Sequence, residues 1–425
     1  MTLGSYWRLI RGNRNFRRLW LAQIVSEMGD WFYILAIYSL LLQFTGKAQS
    51  VGLALVLQVL PSTLVGPTAG VVNDRVRRKY VMIAADLARV GIVLSMTLVR
   101  SRGMVWLVYP LLFLETVMWG FFEPARSALL PNIVGDEQLA IANTVSSMTW
   151  SFNFAVGSAL GGLVTVLLGW DAVFVLNALS FLGSALLIRG MEFHEPHATG
   201  AAPFRLRELV DFSPVAEGAR YIGRDARLLA TVLLKGGMGI MGANWVIFPI
   251  LGERVFPVHF GGVDAARGAV LGMSLLMGAR GIGALVGPLT ATRWAGGRSA
   301  RMRMGILIGY LAGAAGYLSL SKAPLLALVC LSAAVAHGGA SIVWVFSTTL
   351  LQRFSEDKFR GRLFAADLGF CMLIVATSGY VAGVAIDHGI GVRTVALWTG
   401  AAMLVPALAW LWAMRWWREG EDQRV

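Results

Sequence analysis

The sequence predicts an all-α integral membrane protein with twelve transmembrane helices. Hydrophobic residues make up 56% of the 425-residue chain and charged residues only 14%, whereas a soluble globular protein carries about 25% charged residues. The apolar residues recur in runs of roughly 20, the length that a helix needs to cross the hydrocarbon core of a bilayer. A β-barrel is excluded, because its strands alternate in polarity over about 10 residues.

The predicted spans are joined mostly by short loops, as expected for antiparallel neighbouring helices. The spans cover residues 19–43, 51–72, 80–99, 104–122, 141–166, 170–190, 228–251, 267–292, 303–320, 323–348, 363–386 and 393–415. A long polar stretch separates the first six spans from the last six. The sequence therefore predicts an N-terminal six-helix bundle over residues 1–191, a cytoplasmic linker over 192–227 and a C-terminal six-helix bundle over 228–425.

Cationic residues predict the orientation of the spans. Of the 37 Lys and Arg residues, 26 lie in segments that are inside if the N-terminus is cytoplasmic, and 7 lie in the opposite loops. Cytoplasmic loops carry such an excess of cations, so both termini are predicted to be cytoplasmic. Because the cations are dispersed over short loops, they do not form the single basic face of a nucleic-acid-binding protein.

The two halves of the chain resemble each other at an offset of about 221 residues. The second span ends in LVGPTAG (64–70), and the eighth ends in LVGPLTA (285–291). In the fifth and eleventh spans, Gly157 and Gly161 correspond to Gly379 and Gly383. A six-plus-six repeat that binds its substrate between the halves is typical of a secondary transporter that moves by rocking.

The loop after the second span carries a known pattern. Residues 70–79, GVVNDRVRRK, match G-x-x-x-D-R-x-G-R-R/K except at Arg77, where the pattern has Gly. This loop resembles the signature of the major facilitator superfamily, although an ordinary cationic loop is the alternative. The resemblance implies that Asp74 caps the N-terminus of the eleventh span, where the helix dipole favours an anion. It implies a cytoplasmic gate that we assign to Gly70, Asp74, Arg75, Arg78, Asp86, Arg89, Arg126 and Asp367.

Two further stretches indicate which branches of the superfamily the chain resembles. SEMGDWFYILAIYSLL (26–41) and FFEPARSALLPNIVGDEQLAIANTV (121–145) resemble exporters of the enterobactin and macrolide-efflux type, and also the bacterial lysophospholipid transporter. GSALGG (157–162) resembles the G-P-x-x-G-G motif of drug/proton antiporters, with Ser158 in place of Pro. Ordinary packing of small residues is the alternative for this glycine cluster. The resemblance implies a multi-pass protein of the bacterial inner membrane.

Acidic residues within predicted spans point to proton coupling. Asp30 lies near the middle of the first span, and Glu27 lies one helical turn earlier. Ionisable groups at this depth are costly, so each suggests a function, and neighbouring carboxylates in a medium of low dielectric favour bound protons. We predict that Asp30, Glu27 and Glu115 couple transport to protons. A structural hydrogen-bonded pair or a site for a cationic substrate are the alternatives.

Basic residues lie in the spans of the second half. Lys235 and Arg280 are predicted to lie within the seventh and eighth spans. These bases pair with acids of the other half, bind an anionic or zwitterionic substrate, or pair within their own half. The predicted substrate-binding residues are Asp30, Glu115, Lys235, Arg280, Asn153, Trp150 and Asn244. Helix packing is an equal alternative for Asn153, Trp150 and Asn244, and a structural ion pair is the alternative for Asp86 with Arg89.

Motifs for other chemistry are missing from the sequence. It contains no G-x-x-x-x-G-K-[ST] loop, no H-E-x-x-H and no G-x-S-x-G, the motifs expected of an ATPase, a zinc protease and a serine hydrolase. We therefore predict neither an enzyme nor a metal or other cofactor.

Three functions compete at this point. The first is a proton-coupled exporter of amphipathic small molecules, of the drug or siderophore type, that works by alternating access. The second is a carrier that flips lysophospholipids, and the third is a membrane receptor or scaffold that does not transport. The predicted partners are a small-molecule or lipid substrate, protons and the lipid bilayer, and a monomer is expected because twelve spans can enclose a pathway.

Overall fold

The computed structural model describes residues 3–195, 213–258 and 264–415, and these ranges contain helices and no strands. Fourteen α-helices, joined by turns and short 3₁₀ segments, form the described chain. They are α1 Leu3–Gly12, α2 Arg14–Thr45, α3 Ala48–Arg75, α4 Arg78–Ser95, α5 Val108–Ile133, α6 Asp136–Arg189, α7 Ser213–Ile222, α8 Ala226–Met238, α9 Asn244–Arg254, α10 Ala265–Ala295, α11 Ser299–Lys322, α12 Leu326–Phe354, α13 Asp357–Asp387 and α14 Val392–Arg415.

Eleven stretches of the described chain are long and apolar enough to cross a membrane. One of them, Ile141–Arg189, has 49 residues, about twice the length that one crossing needs. The backbone of α6 leaves the helical conformation inside this stretch at Gly169, where φ is 79° and ψ is 171°. Glycine adopts such a conformation readily because it has no Cβ. The long stretch therefore counts as two spans, and the described chain has the twelve that the sequence predicts.

The seventh predicted span is not one regular helix. It consists of α8, a 3₁₀ turn over Gly239–Ala243, and α9. A Cβ placed on Gly239 or Gly242 would press against backbone atoms of α13. The glycines in this segment thus allow the interrupted helix to lie directly against its neighbour.

The helices group into two compact units. The first contains Met1–Thr45 and Leu57–Asp211, and the second contains Gly46–Val56 and Phe212–Val425. The sequence analysis placed the start of α3 in the N-terminal bundle, but this start groups with the second unit. Within the second unit, the Asp387 carboxylate accepts hydrogen bonds of 2.8 Å from the backbone N–H groups of Ala48 and Gln49. These groups are unpaired at the first turn of a helix, so Asp387 caps α3.

Glycines bring helices close together within each unit. In the first unit, Gly157 lies against Trp31, and Gly161 lies against the backbone of Phe32. In the second unit, Gly283 and Gly287 of α10 lie against the backbone of α12. Small residues at such contacts let helices in a membrane pack closely, so the glycine cluster of the fifth span serves packing between α6 and α2.

The described end of the linker, α7, packs against the start of α13 in the second unit. The rings of Tyr221 and Phe359 stack with centroids 4.4 Å apart. The Tyr221 hydroxyl accepts a hydrogen bond of 3.0 Å from the backbone N–H of Glu356, and Glu217 pairs with Arg362 at 2.5 Å. These contacts fix the last part of the predicted linker to the second unit.

Candidate functional site

A buried arginine organises the charged groups of the first unit. Arg89 of α4 is 2% exposed. Its Nη2 donates a hydrogen bond of 2.9 Å to Oδ2 of Asp30 on α2, and its Nε donates one of 2.9 Å to Oε1 of Glu115 on α5. Since a guanidinium presents its donors in a planar fork, one side chain binds both carboxylates at once. We call Arg89, Asp30, Glu115 and Asp86 the Arg89 cluster.

Asp86 supplies the third carboxylate of the Arg89 cluster. It lies one turn before Arg89 on α4, it is fully buried, and its Oδ1 is 3.7 Å from Nη1 of Arg89. Neither of its oxygens accepts a hydrogen bond of normal geometry from a described residue. The ring of Phe181 on α6 covers the guanidinium, with Cζ of Arg89 3.7 Å from the ring centroid. Three acids therefore share one cation in an enclosed site.

Glu27 has neutral partners, in contrast to Asp30. Its Oε1 accepts a hydrogen bond of 2.8 Å from the side-chain amide of Gln23, and its Oε2 accepts one of 3.0 Å from Asn153 on α6. Ser26 and Tyr33, which lie on the same face of α2 as Asp30, are buried. This face of α2 therefore lies against other helices of the first unit.

Aromatic residues adjoin the partner of Glu27. Trp150 and Phe154 flank Asn153 on α6, and their ring centroids lie 6.0 Å and 4.4 Å from that of Trp31. Asn153 is fully buried, whereas Trp150 is 48% exposed. The exposed ring of Trp150 thus lies one turn of α6 before Asn153, whose amide binds the Glu27 carboxylate of α2.

The second unit contains a buried ion pair. Nζ of Lys235 on α8 is 2.5 Å from Oδ2 of Asp367 on α13, and the two side chains are 3% and 1% exposed. Lys235 also donates a hydrogen bond of 3.2 Å to the hydroxyl of Thr348 and lies 4.1 Å from the centroid of the Trp344 ring. Lys235, assigned by sequence to the substrate, and Asp367, assigned to the gate, are therefore partners within one unit.

Arg280 lies near a different set of side chains in the second unit. Its Cζ is 4.1 Å from the ring centroid of Trp245 on α9, a distance at which the cation attracts the ring. The hydroxyl of Tyr317 and Nε2 of His337 are 3.3 Å apart and buried. The Asn244 amide donates to the carbonyl of Met241 within its own segment.

The signature loop is anchored to the first unit by several backbone contacts. The Arg78 guanidinium donates to the carbonyl of Ala128 at 2.7 Å, and Lys79 donates to the carbonyl of Met191 at 2.6 Å. The carboxylate of Glu195 accepts a hydrogen bond of 2.7 Å from the backbone N–H of Arg78, where a negative charge also suits the helix dipole. Glu195 therefore caps α4 and holds the loop at the end of α6.

The other predicted gate residues have separate surroundings within their own units. The side chain of Asp74 lies outside the described residues, Arg75 is partly exposed, and Gly70 has open space where a side chain would point. Arg126 forms a two-bond pair with Glu123, with distances of 2.9 and 2.5 Å. Asp86 and Arg89 belong to the Arg89 cluster and Asp367 to the Lys235 pair.

Three of these participants have no predicted role in the sequence. Glu195 lies in the polar stretch after the sixth span, and Phe181 is one apolar residue among many. His337, a lone histidine in an apolar run, is a signal that sequence reasoning could have used, because polar groups in a membrane helix are costly unless paired.

The described chain combines twelve apolar spans with buried charged residues, which is the architecture of a polytopic membrane protein. The sequence profile of the Major Facilitator Superfamily matches residues 19–367, most of the chain. The chain belongs to this superfamily, which confirms the predicted fold class and the resemblance.

Curated relatives include both characterised and uncharacterised transporters. Macrolide efflux protein A of Streptococcus pyogenes is 28% identical over 282 residues, which are 64% of this chain and 66% of that protein. The MFS-type transporter YkuC of Bacillus subtilis is 29% identical over 244 residues, 56% of each chain. An MFS-type transporter of Mycobacterium tuberculosis is 26% identical over 90% of this chain and 88% of its own. The chain thus matches the first two over roughly half to two thirds of their length.

Solved structures share the fold. The nucleoside transporter NupG aligns with a TM-score of 0.72 over 95% of this chain and 100% of its own, at 14% identity. A bacterial homologue of the human lysosomal transporter Spinster aligns with a TM-score of 0.67 over 98% of each chain, also at 14% identity.

Proposed function

We propose that the chain is a proton-coupled exporter of amphipathic small molecules, of the drug or siderophore type, that works by alternating access. We place it as a monomer in the inner membrane of a bacterium, with both termini in the cytoplasm. Membership of the superfamily supports the transport of a small molecule, and the similarity to macrolide efflux protein A supports export.

The main support for this proposal is the excess of negative charge in the Arg89 cluster. Asp30, Asp86 and Glu115 face one guanidinium, which leaves two negative charges in excess if all three acids are ionised. Uncompensated charge in a buried site costs several kcal/mol by order of magnitude. Binding of protons by one or two of the carboxylates removes this cost, so the cluster suits a proton-binding site.

Asp30 is the member of the cluster best suited to exchange its proton. Its side chain is 26% exposed, against 12% for Glu115 and none for Asp86. Protonation of Asp30 weakens its bonds to Arg89, and the freed donors turn to Glu115 and Asp86. Because these acids lie on different helices, proton binding changes the contacts among α2, α4 and α5, which couples the proton to helix movement.

The substrate is proposed to contact the face of α2 and α6 that carries Glu27 and Trp150. The exposed indole of Trp150 offers apolar area, and the Glu27 carboxylate, held by two amides, offers a polar contact. Such a combination suits an amphipathic molecule. The signature loop, fixed by Arg78 and Lys79 to the first unit, is proposed to act in the cytoplasmic gate.

Transport by the purified full chain in proteoliposomes tests the proposal. The probe is a radiolabelled macrolide antibiotic, with and without an imposed pH gradient. The wild type is expected to accumulate the probe only with the gradient, and Asp30→Asn is expected to fall to the level of protein-free liposomes. Asp171→Asn is the matched control, because Asp171, at the start of the sixth span, is exposed and pairs with the exposed Arg100, and we expect wild-type transport from it.

Gradient-driven accumulation by Asp30→Asn at the wild-type rate would contradict proton coupling at this site. A second probe, a labelled lysophosphatidylethanolamine, separates the competing carrier function. Exchange of this lipid without a gradient, unchanged in Asp30→Asn, would favour the lysophospholipid carrier over the proton-coupled exporter.

A further inference from the structure

The N-terminal helix α1 presents two different faces. Leu9 is 2% exposed and belongs to the apolar core of the first unit, together with Phe16 and Leu19 of α2. Trp7 is 53% exposed, and the side chains of Arg8 and Arg11 are exposed beside it. At 10 residues the helix is too short to span a bilayer, and its amphipathic pattern suits the surface of a membrane.

Two asparagines hold the junction between α1 and α2 against the rest of the unit. Asn13, between α1 and α2, donates a hydrogen bond of 2.6 Å to the carbonyl of Ile133 at the end of α5. Asn15 exchanges two hydrogen bonds, of 2.7 and 3.0 Å, with the backbone of Glu192 after α6. The exposed face of α1 is therefore preorganised at one end of the unit.

The charged side chains of the N-terminal segment that contains α1 are all positive. Five arginines lie within the first 26 residues, at positions 8, 11, 14, 17 and 18, and no acidic residue lies among them. The Arg11 guanidinium stacks on the Trp7 ring, with Cζ 4.4 Å from the centroid, and Arg14 is exposed at the start of α2. Of the described acids at the same end, Glu195 caps α4, Glu123 binds Arg126, and Glu192 is exposed beside Asn15.

We propose that the exposed surface formed by Trp7, Arg8 and Arg11 of α1 and by Arg14 at the start of α2 binds the phosphate headgroups of anionic phospholipids. Arginine is suited to phosphate because its fork of donors matches phosphate oxygens. An exposed tryptophan beside the first span is typical of the headgroup region, and basic clusters next to a span attract anionic lipids. The proposal is independent of which substrate the protein transports.

Lipid retention by the purified full chain tests the proposal. The protein in detergent receives equal amounts of phosphatidylglycerol and phosphatidylcholine, and native mass spectrometry counts the lipids that stay bound. We expect the wild type to prefer phosphatidylglycerol by about tenfold or more, on the basis of the attraction per basic residue. The preference should fall as salt is added, because salt screens exposed charges.

Three variants with matched changes identify the site. Arg8→Gln/Arg11→Gln/Arg14→Gln is expected to lose the preference, and Arg8→Lys/Arg11→Lys/Arg14→Lys is expected to keep most of it. Arg100→Gln/Arg102→Gln/Lys322→Gln removes the same charge from exposed positions outside α1 and should behave as the wild type. An unchanged preference in the first variant, an equal loss in the third, or a wild-type preference that is insensitive to salt would overturn the proposal.

Competition with a soluble phosphate compound distinguishes a lipid site from a site for free phosphate compounds. Glycerol 3-phosphate in excess should leave phosphatidylglycerol bound, because a headgroup at a membrane surface also has its chains in the detergent phase. Displacement of the lipid by this anion would overturn the lipid assignment in favour of a site for free phosphate compounds.

Discussion

Three carboxylates from three helices converge on the guanidinium of Arg89. The sequence analysis related Arg89 to Asp86, because residues three apart share one face of a helix. The structure keeps these two side chains 3.7 Å apart and adds shorter contacts to Asp30 and Glu115. The added partners lie 59 and 26 residues away in the chain, beyond the reach of any helical spacing.

The Lys235–Asp367 pair supports a prediction about stability. Lys235→Met leaves the Asp367 carboxylate buried without its cation, which is expected to cost about 3–5 kcal/mol of unfolding free energy. Lys235→Met/Asp367→Leu removes both charges and is expected to recover most of that loss, because a buried ion pair can be replaced by apolar groups. Thermal unfolding of the purified variants in detergent measures both effects.

Lys322→Met is the control for the loss of a lysine, because Lys322 is exposed at the end of α11, and it should unfold as the wild type does. If the double variant proves as unstable as Lys235→Met alone, the pair does not account for the loss.

At the scale of elements, glycines decide which helices approach closely. A Cβ on Gly283 of α10 would collide with the backbone of Ala334 on α12. Gly283→Ala is therefore expected to destabilise the protein by about 1–3 kcal/mol, the usual cost of overpacking. The unfolding midpoint in detergent and the yield of folded protein check this expectation.

Gly91→Ala is the matched control within a helix. Among the described residues, no other side chain or distant backbone atom lies within 4 Å of a Cβ placed on Gly91, and alanine is the better helix former by about 0.8–1.0 kcal/mol. This variant should be as stable as the wild type or slightly more stable. Equal destabilisation by both changes would show that close packing at α10 is not the cause.

The start of α4 shows how an element can depend on a distant segment. Its N-cap position, Arg77, provides no side-chain cap, and Glu195 accepts from the N–H of Arg78 in its place. Glu195 is 6% exposed although the sequence analysis assigned it to a polar linker. The first residues after α6 therefore belong structurally to the first unit.

At the scale of the whole molecule, the distribution of cations predicts which ends of the spans face the cytoplasm. In a chain with Cys330 and Cys371 replaced by alanine, Ser101→Cys lies in a predicted outside loop and Ala300→Cys in a predicted inside one. A membrane-impermeant maleimide should label Ser101→Cys in intact spheroplasts and Ala300→Cys only after permeabilisation, because cytoplasmic loops carry the excess of Lys and Arg. The reverse pattern would contradict the proposed orientation.

The class of the protein, the number of its spans and its superfamily can be predicted from the sequence. These properties depend on local features, namely hydropathy over about 20 residues and a short motif within one loop. Gly169 shows the limit of such features: the predicted fifth and sixth spans end and begin beside it, but its backbone conformation is a structural fact.

Which charged residues are partners could not be predicted from the sequence and depends on the tertiary structure. Arg89 with Asp30 and Glu115, Lys235 with Asp367, and Asp387 with the start of α3 join segments that are between 26 and 339 residues apart. A helical sequence specifies which side chains share a face, but the neighbour of that face depends on how the helices pack. Burial then makes each pairing necessary, because a charge removed from water must find a partner.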